Sequence, residues 1–244
     1  MFLPHKFVCG KVLLNGFASL YFDNLTSPTV LTHSGHTINM NVKRLALTFS
    51  IAIFLPPPVI AHHNSDEKSV EALTSVITQA KNITTPIKQF IIQHLLPISY
   101  DTLLAAEIIN QNSRKIPLSK THDIDQTWIN SEDELAIHQE KLSNPCAQQV
   151  KRIVKNNLAL VEVFVMDNQG AIVCMNNITS DYWQGDESKW KNSYERVGVD
   201  IGPLRFDKSA YTNLQQISLP IFDSQDHAVG AITFGINTSR VDGD

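Results

Sequence analysis

The feature that most constrains this chain is a change of period near residue 160. Before it, apolar residues recur at three- and four-residue steps; after it, they alternate along short runs rich in β-branched residues. A chain divided in this way sets helices first and an antiparallel sheet afterwards. That is an α+β domain with the helices laid on one face of the sheet. In the first half, Val70, Leu73, Val76, Ile77 and Ala80 keep the helical step after Ser65-Asp-Glu-Lys68. Thr84-Thr-Pro86 supplies an N-cap with proline at the first helical position. Ile87, Phe90, Ile91 and Leu95 form a stripe that Pro97 interrupts, and Asp101 caps a further piece carrying Leu104, Ile108 and Ile109. One long kinked helix and two helices in series both fit this pattern. Residues 113–143 are polar, with Trp128 and Ile129 as the strong apolar group, and read as a connection holding a short helix near Glu132–Lys141. Asn144-Pro145 opens a last helix whose apolar stripe is Val150, Ile153 and Val154.

The second half reads as an antiparallel meander. Leu160–Asp167, the turn Asn168-Gln-Gly170 and Ala171–Met175 make a hairpin. Val199–Phe206, Tyr211–Ile221 and Ala228–Asn237 supply three more strands, the last two joined by the polar turn Asp223–His227. The two faces of the first strand differ in chemistry. Val161, Val163 and Val165 suit the helix-covered face, whereas Glu162, Phe164 and Met166 point the other way. A carboxylate between two large apolar groups is costly in a sealed core. It fits a strand edge, or a sheet face that holds a polar ligand.

Ahead of the helices, Met40-Asn-Val-Lys-Arg44, the apolar segment Leu45–Leu55, prolines 56–58 and Ala61 have the layout of a secretory signal peptide. A bilayer span needs about 20 apolar residues, and this segment is much shorter; an internal membrane anchor is the alternative. On the signal-peptide reading, residues 1–39 precede the true start and residues 40–61 are the cleaved leader. Residues 62–143 are then the helical region and 144–240 the sheet-bearing domain. The mature protein would be periplasmic, with neither an anchor nor an attached output domain. The net charge of −4 and isoelectric point near 6.1 give no support for a nucleic-acid partner. Cys146 and Cys174 remain after processing, either bridged or as two buried thiols. The hairpin register sets Cys174 about opposite Val163, on the helix-covered side.

The densest cluster of rings and charges is Thr179–Tyr194, which holds two of the three tryptophans. Asp186 is the expected cap of a short helix bearing Lys189, Trp190, Ser193 and Tyr194. Rings flanked by a lysine and carboxylates suit a small zwitterion or carboxylate. The competing reading is that Trp183 and Trp190 merely pin a long loop to the sheet. The candidate ligand-binding residues are Tyr182, Trp183, Asp186, Lys189, Trp190 and Tyr194, with Glu162 and Asp200 from the strands.

Val163–Gly170, Thr179–Glu187, Pro220–Asp223 and Val229–Ile236 together resemble the PDC/Cache family of extracytoplasmic sensor domains, over roughly residues 145–238. The resemblance implies a five-stranded antiparallel PAS-like sheet. It also implies a small-molecule pocket on the face away from the long helix, roofed by the insertion between strands two and three, with a hollow beneath Tyr182 and Trp183. Members usually belong to histidine kinases, chemoreceptors or cyclic-dinucleotide enzymes, with two membrane segments flanking the domain; this chain departs from that in its cleavable-looking leader. Amino-acid-binding members use a Tyr, Arg, Trp and Asp constellation. Tyr182, Lys189, Trp190 and Asp200 are partial analogues, with lysine where an arginine would clamp a carboxylate.

The implied partners are an amino acid, carboxylate or amine as ligand, and a membrane sensor kinase or chemoreceptor as recipient. A second copy could dock through the N-terminal helices. No GxSxG, HExxH, phosphate-binding glycine loop or CxxC is present, so no enzyme activity, cofactor or metal site is expected. His62-His63 with Asp66 reads as a solvated tail. The rival function is a periplasmic interaction or structural module without a ligand. It would be favoured by a sheet face filled by Phe164 and Trp183.

Overall fold

A computed structural model of the chain describes residues 64–131, 133, 135–207 and 212–242. The segment Met40–Ala61 expected to be a leader, residues 1–39 and His62-His63 lie outside the described residues. Among the described residues, no helix is long and apolar enough to cross a membrane, and no cluster of three His, Cys, Asp or Glu side chains is placed to hold a metal ion.

Helix α1 (Asn64–Gln79) buries Leu73 and Ile77, while Val76 of the expected stripe faces solvent. Helix α2 (Thr85–Phe90) starts at Thr84, whose hydroxyl accepts from the Ile87 N–H. It continues into a π turn (Ile91–Leu95) and a 3-10 turn (Leu96–Tyr100). Pro97 has no N–H to donate, so the regular ladder fails around it and the backbone changes pitch. Asp101 then caps α3 (Thr102–Ser113), its carboxylate accepting from Leu103 and Leu104 N–H at 2.9 and 3.0 Å. The first half is therefore a series of short helices rather than one long one.

Between residues 113 and 143 the structure has two helices where one short one was expected. These are α4 (Leu118–Asn130) and α5 (Ala136–Ser143). Helix α6 (Pro145–Asn156) follows, capped by Asn144 through a 2.8 Å bond from Ala147 N–H.

The sheet strands are β1 (Leu160–Met166), β2 (Ile172–Met175), β3 (Asp200–Ile201), β4 (Arg205–Asp207), β5 (Thr212–Phe222) and β6 (Ala228–Asn237). Between β2 and β3 lie α7 (Ser188–Trp190) and a π turn (Lys191–Glu195). Helix α8 (Thr238–Asp242) closes the described chain. All pairings are antiparallel, in the order β2-β1-β6-β5-β3, with β4 also on β5. The fold is thus the expected α+β sheet, with the expected third strand, Val199–Phe206, broken into β3 and β4: Gly202 N–H still donates to Gln216 O at 2.8 Å, but Pro203 has no N–H for the ladder. The hairpin turn closes at Gly170, whose φ of +87° suits glycine; a Cβ there would stand 2.4 Å from the Gly185 backbone.

Two apolar cores lie on the two sides of the sheet. The first joins Val163, Val165, Ile217, Leu219, Ile232 and Phe234 to α1, α2, α3 and α6. The second is built from Phe164, Met166 and Ile172 with Trp128, Tyr182 and Trp190. Helices are therefore not confined to one face: Trp128 of α4 belongs to the second core, and Ile137 and Leu142 of α5 pack against it. Cys146 and Cys174 form a disulfide that ties α6 to β2. Cys174 pairs with Val165 rather than Val163: the turn closes Asp167 against Ala171, which moves the register by one residue, and a bulge between Val165 and Met166 moves it by a second. The two-residue difference keeps Cys174 on the helix side.

Candidate functional site

The strands alternate, so the residues that skip the first core face the opposite side of the sheet. On β5 these are Leu214, Gln216 and Ser218; on β6, Ala231, Thr233 and Gly235; on β1, Glu162, Phe164 and Met166. Toward β1 and β2 this face is closed by the second core. Toward β5, β3 and β4 it opens into a cleft of about 490 Å3. Its lining includes Glu162, Leu214, Gln216 and Gly235 from the sheet, Asp200, Arg205 and Phe206 from the split edge, and Glu187 and Lys189 from the roof. Gly235 keeps the floor low: a Cβ there would stand 3.1 Å from Glu162 Cβ. The Glu162 carboxylate consequently lies across β6, where it accepts a 3.2 Å bond from Gln216 Nε2.

The charges of the cleft are unevenly matched. Lys189 donates to Gln184 Oε1 at 2.8 Å, pairs with Glu187 at 3.0 Å, and stands 5.3 Å from the Phe164 ring centroid. Asp200 is buried and accepts from Asn192 Nδ2 at 2.6 Å. Neither Glu162 nor Asp200 has a cationic partner among the described residues, and Arg205 has no carboxylate partner among them.

Of the eight expected ligand residues, Glu162, Lys189 and Asp200 line this cleft. The other five do not. Trp183 Nε1 donates to Gln169 O at 2.7 Å and Trp190 Nε1 to Asp167 O at 2.9 Å, so both indoles tie the insertion to the hairpin turn. Tyr182 packs 5.6 Å from the Trp128 ring inside the second core, and Tyr194 leans on Trp190. Burial raises the pKa of both tyrosines. Asp186 is exposed, and Glu187 rather than Asp186 precedes the first turn of α7. The space beneath Tyr182 is filled; the hollow lies under Lys189 instead. Donor-only indole N–H groups explain this, because buried they must find a carbonyl.

Helix α4 fixes the start of the insertion in the same manner. Asp125 Oδ1 accepts from both the Tyr182 and Trp183 N–H groups at 2.9 Å, and Trp128 Nε1 donates to Thr179 O at 2.9 Å. Arg205, Glu187, Gln216, Leu214 and Phe206 were not among the expected site residues. The signal for Arg205 was present: a lone arginine in a strand five residues after Asp200.

No protein-family model matches the chain, and no curated protein matches it. Several solved structures do. The sensor domain of the V. cholerae histidine kinase DctB aligns with a TM-score of 0.38 and 14% identity, over 74% of this chain and 57% of that one. The ligand-binding domain of the Campylobacter jejuni chemoreceptor Tlp3, in complex with 4-methylisoleucine, aligns at 0.34 and 11%, over 75% and 64%. The E. coli DcuS sensor domain aligns at 0.31 and 18%, over 51% and 91%. The chain is similar to PDC/Cache-type sensor domains. It spans less than two thirds of the length of the DctB and Tlp3 domains.

Chemically, the cleft offers acceptors at Glu162 and Asp200 and a donor fork at Arg205, around an ammonium that already holds a carboxylate. Such an arrangement can bind and orient a small charged molecule.

Proposed function

We propose that this chain is a periplasmic sensor domain that binds a small polar organic molecule in the cleft between its sheet and the 179–195 roof. The ligand is an amino acid, carboxylate or amine, and occupancy is passed to a separate membrane-bound partner. One observation carries the reading: Glu162 and Asp200 face a cleft of about 490 Å3 without a cationic partner among the described residues. Small-molecule sites commonly span about 300–1,000 Å3 and use a few convergent polar groups for orientation. A partly desolvated carboxylate without a counter-ion is stabilised when a ligand brings one. The location rests on the leader-like segment Met40–Ala61, and the signalling partner on the sequence resemblance. A sheet face filled by side chains would have favoured a pure interaction module; the open half of this face favours a ligand.

A thermal-shift panel of α-amino acids, short carboxylates and aliphatic amines tests the reading. A ligand at a hundredfold its Kd stabilises by about 2.7 kcal/mol, or about 5–10 °C for a domain of this size. Asp200→Asn and Glu162→Gln are expected to weaken that ligand roughly tenfold or more, the effect of removing a charged hydrogen-bonding partner. A panel without any stabilising compound, or a shift that ignores both substitutions, refutes the assignment.

A further inference from the structure

Lys189 is the one cation of the cleft whose charge is already met, and the group that meets it is unusual. The ammonium is held from three sides: Gln184 Oε1 at 2.8 Å, Glu187 at 3.0 Å, and the face of Phe164. Gln184 is itself fixed, its amide donating to Asp181 Oδ1 at 2.7 Å and to Asp181 O at 3.0 Å. Phe164 is buried in the second core. Glu187 is the loose member. Its side chain is 38% exposed, against 14% for Lys189, and it lines the cleft. It also stands at the N-cap of α7 but makes no capping bond to the helix. Its carboxylate is turned to the ammonium, although the N–H groups of the turn it precedes are a competing attraction. A pair with one partner this exposed belongs to the weak class for which water and other anions compete.

We infer that Glu187 is an internal counter-ion standing where a ligand carboxylate binds, and that the ligand of this cleft carries a carboxylate that displaces it from Lys189. This rests on the reading of the cleft as a ligand site. The fixed groups then position the ammonium with or without ligand, and only the exposed member exchanges. Ligand affinity is set by the difference between two carboxylates competing for one ammonium. An amine without a carboxylate gains nothing from the exchange. The latch therefore discriminates among the three ligand classes.

The test uses acetate and methylammonium as probes and the indole 15N–1H signal of Trp190, the residue after Lys189, as reporter. Acetate is expected to shift that signal saturably in the parent protein. Glu187→Gln should lower the acetate Kd by roughly 1.5-fold to fivefold, the range of a displaced weak ion pair, and Lys189→Met should abolish the response. Methylammonium should bind no better to Glu187→Gln than to the parent. An acetate Kd that is equal in parent and Glu187→Gln overturns the inference, as does an acetate response that survives Lys189→Met or is absent from both proteins. Glu187→Ala gives the same comparison if the glutamine variant does not fold. Should the panel compounds bind through Asp200 while acetate ignores Glu187, the latch alone falls. Should acetate follow the latch while no panel compound is weakened by Asp200→Asn or Glu162→Gln, the role given to those two carboxylates in the sensor reading falls instead.

Discussion

The two faces of the sheet are made by the same alternation and have opposite fates. On the helix side, Val163, Val165, Ile217, Leu219, Ile232 and Phe234 are sealed beneath α1, α2, α3 and α6, and the Cys146–Cys174 bridge fastens the seal. On the other side, half of the face is packed by Phe164, Met166, Tyr182 and Trp190, and half is left open under Lys189. The closed face needs only apolar residues at every second position. The open face needs a roof, and the roof is held by hydrogen bonds to backbone groups as well as by the packing of Tyr182 and Trp190 in the second core. The indoles of the insertion therefore serve as fasteners, and its Glu187 and Lys189 face the cleft.

The contrast can be broken most directly at its covalent fastening. The disulfide closes a sequence separation of 28 residues, and loop-closure entropy assigns such a link about 3–4 kcal/mol. Replacing both Cys146 and Cys174 by alanine should lower the urea-derived unfolding free energy by about that amount. A loss below about 1 kcal/mol would mean that helix packing alone closes that face. The roof should respond less. Asp125→Ala strands the Tyr182 and Trp183 N–H groups, which its carboxylate now accepts; an expected loss of about 2–3 kcal/mol follows from leaving buried donors unpaired. If that variant is as stable as its parent, the roof is held elsewhere.

The smallest effect is one of pH. Burial, aided by the charges of Asp167 and Glu140, raises the Tyr182 pKa above its ordinary 10.0. As pH rises past 10, the unfolded chain loses this proton while the folded chain keeps it. The folded state then binds more protons, so stability falls with pH between 10 and the raised value. Tyr182→Phe should flatten that alkaline limb in denaturant titrations at successive pH values, and an unchanged slope would remove Tyr182 from the buried core.

The hairpin was legible in the sequence because its causes are local: β-branched alternation on either side of Asn168-Gln169-Gly170. Caps at Thr84, Asp101 and Asn144 were legible for the same reason. Helix α4 was not, since its buried positions include Thr121 and Asp125, which make no apolar stripe. Asp125 is satisfied by N–H groups 57 and 58 residues further along, a match that no local pattern can announce. The insertion was recognised as the chemically dense segment, and of the two readings open for its indoles the bonds to Gln169 O and Asp167 O favour the pinning one. An indole reads the same whether its N–H meets a ligand or a carbonyl of the neighbouring turn.

The order of helices and strands, and the division of each strand into an apolar and a mixed face, follow from the amino-acid pattern alone, because period is a property of adjacent residues. Where the mixed face stays open is decided in three dimensions. Glu162, Gly235 and Gln216 stand side by side only through the pairing of β1, β6 and β5, and Arg205 reaches the cleft only because β4 pairs beside β5. A cavity is the volume left over by side chains from distant strands, and that remainder exists only once the register is set.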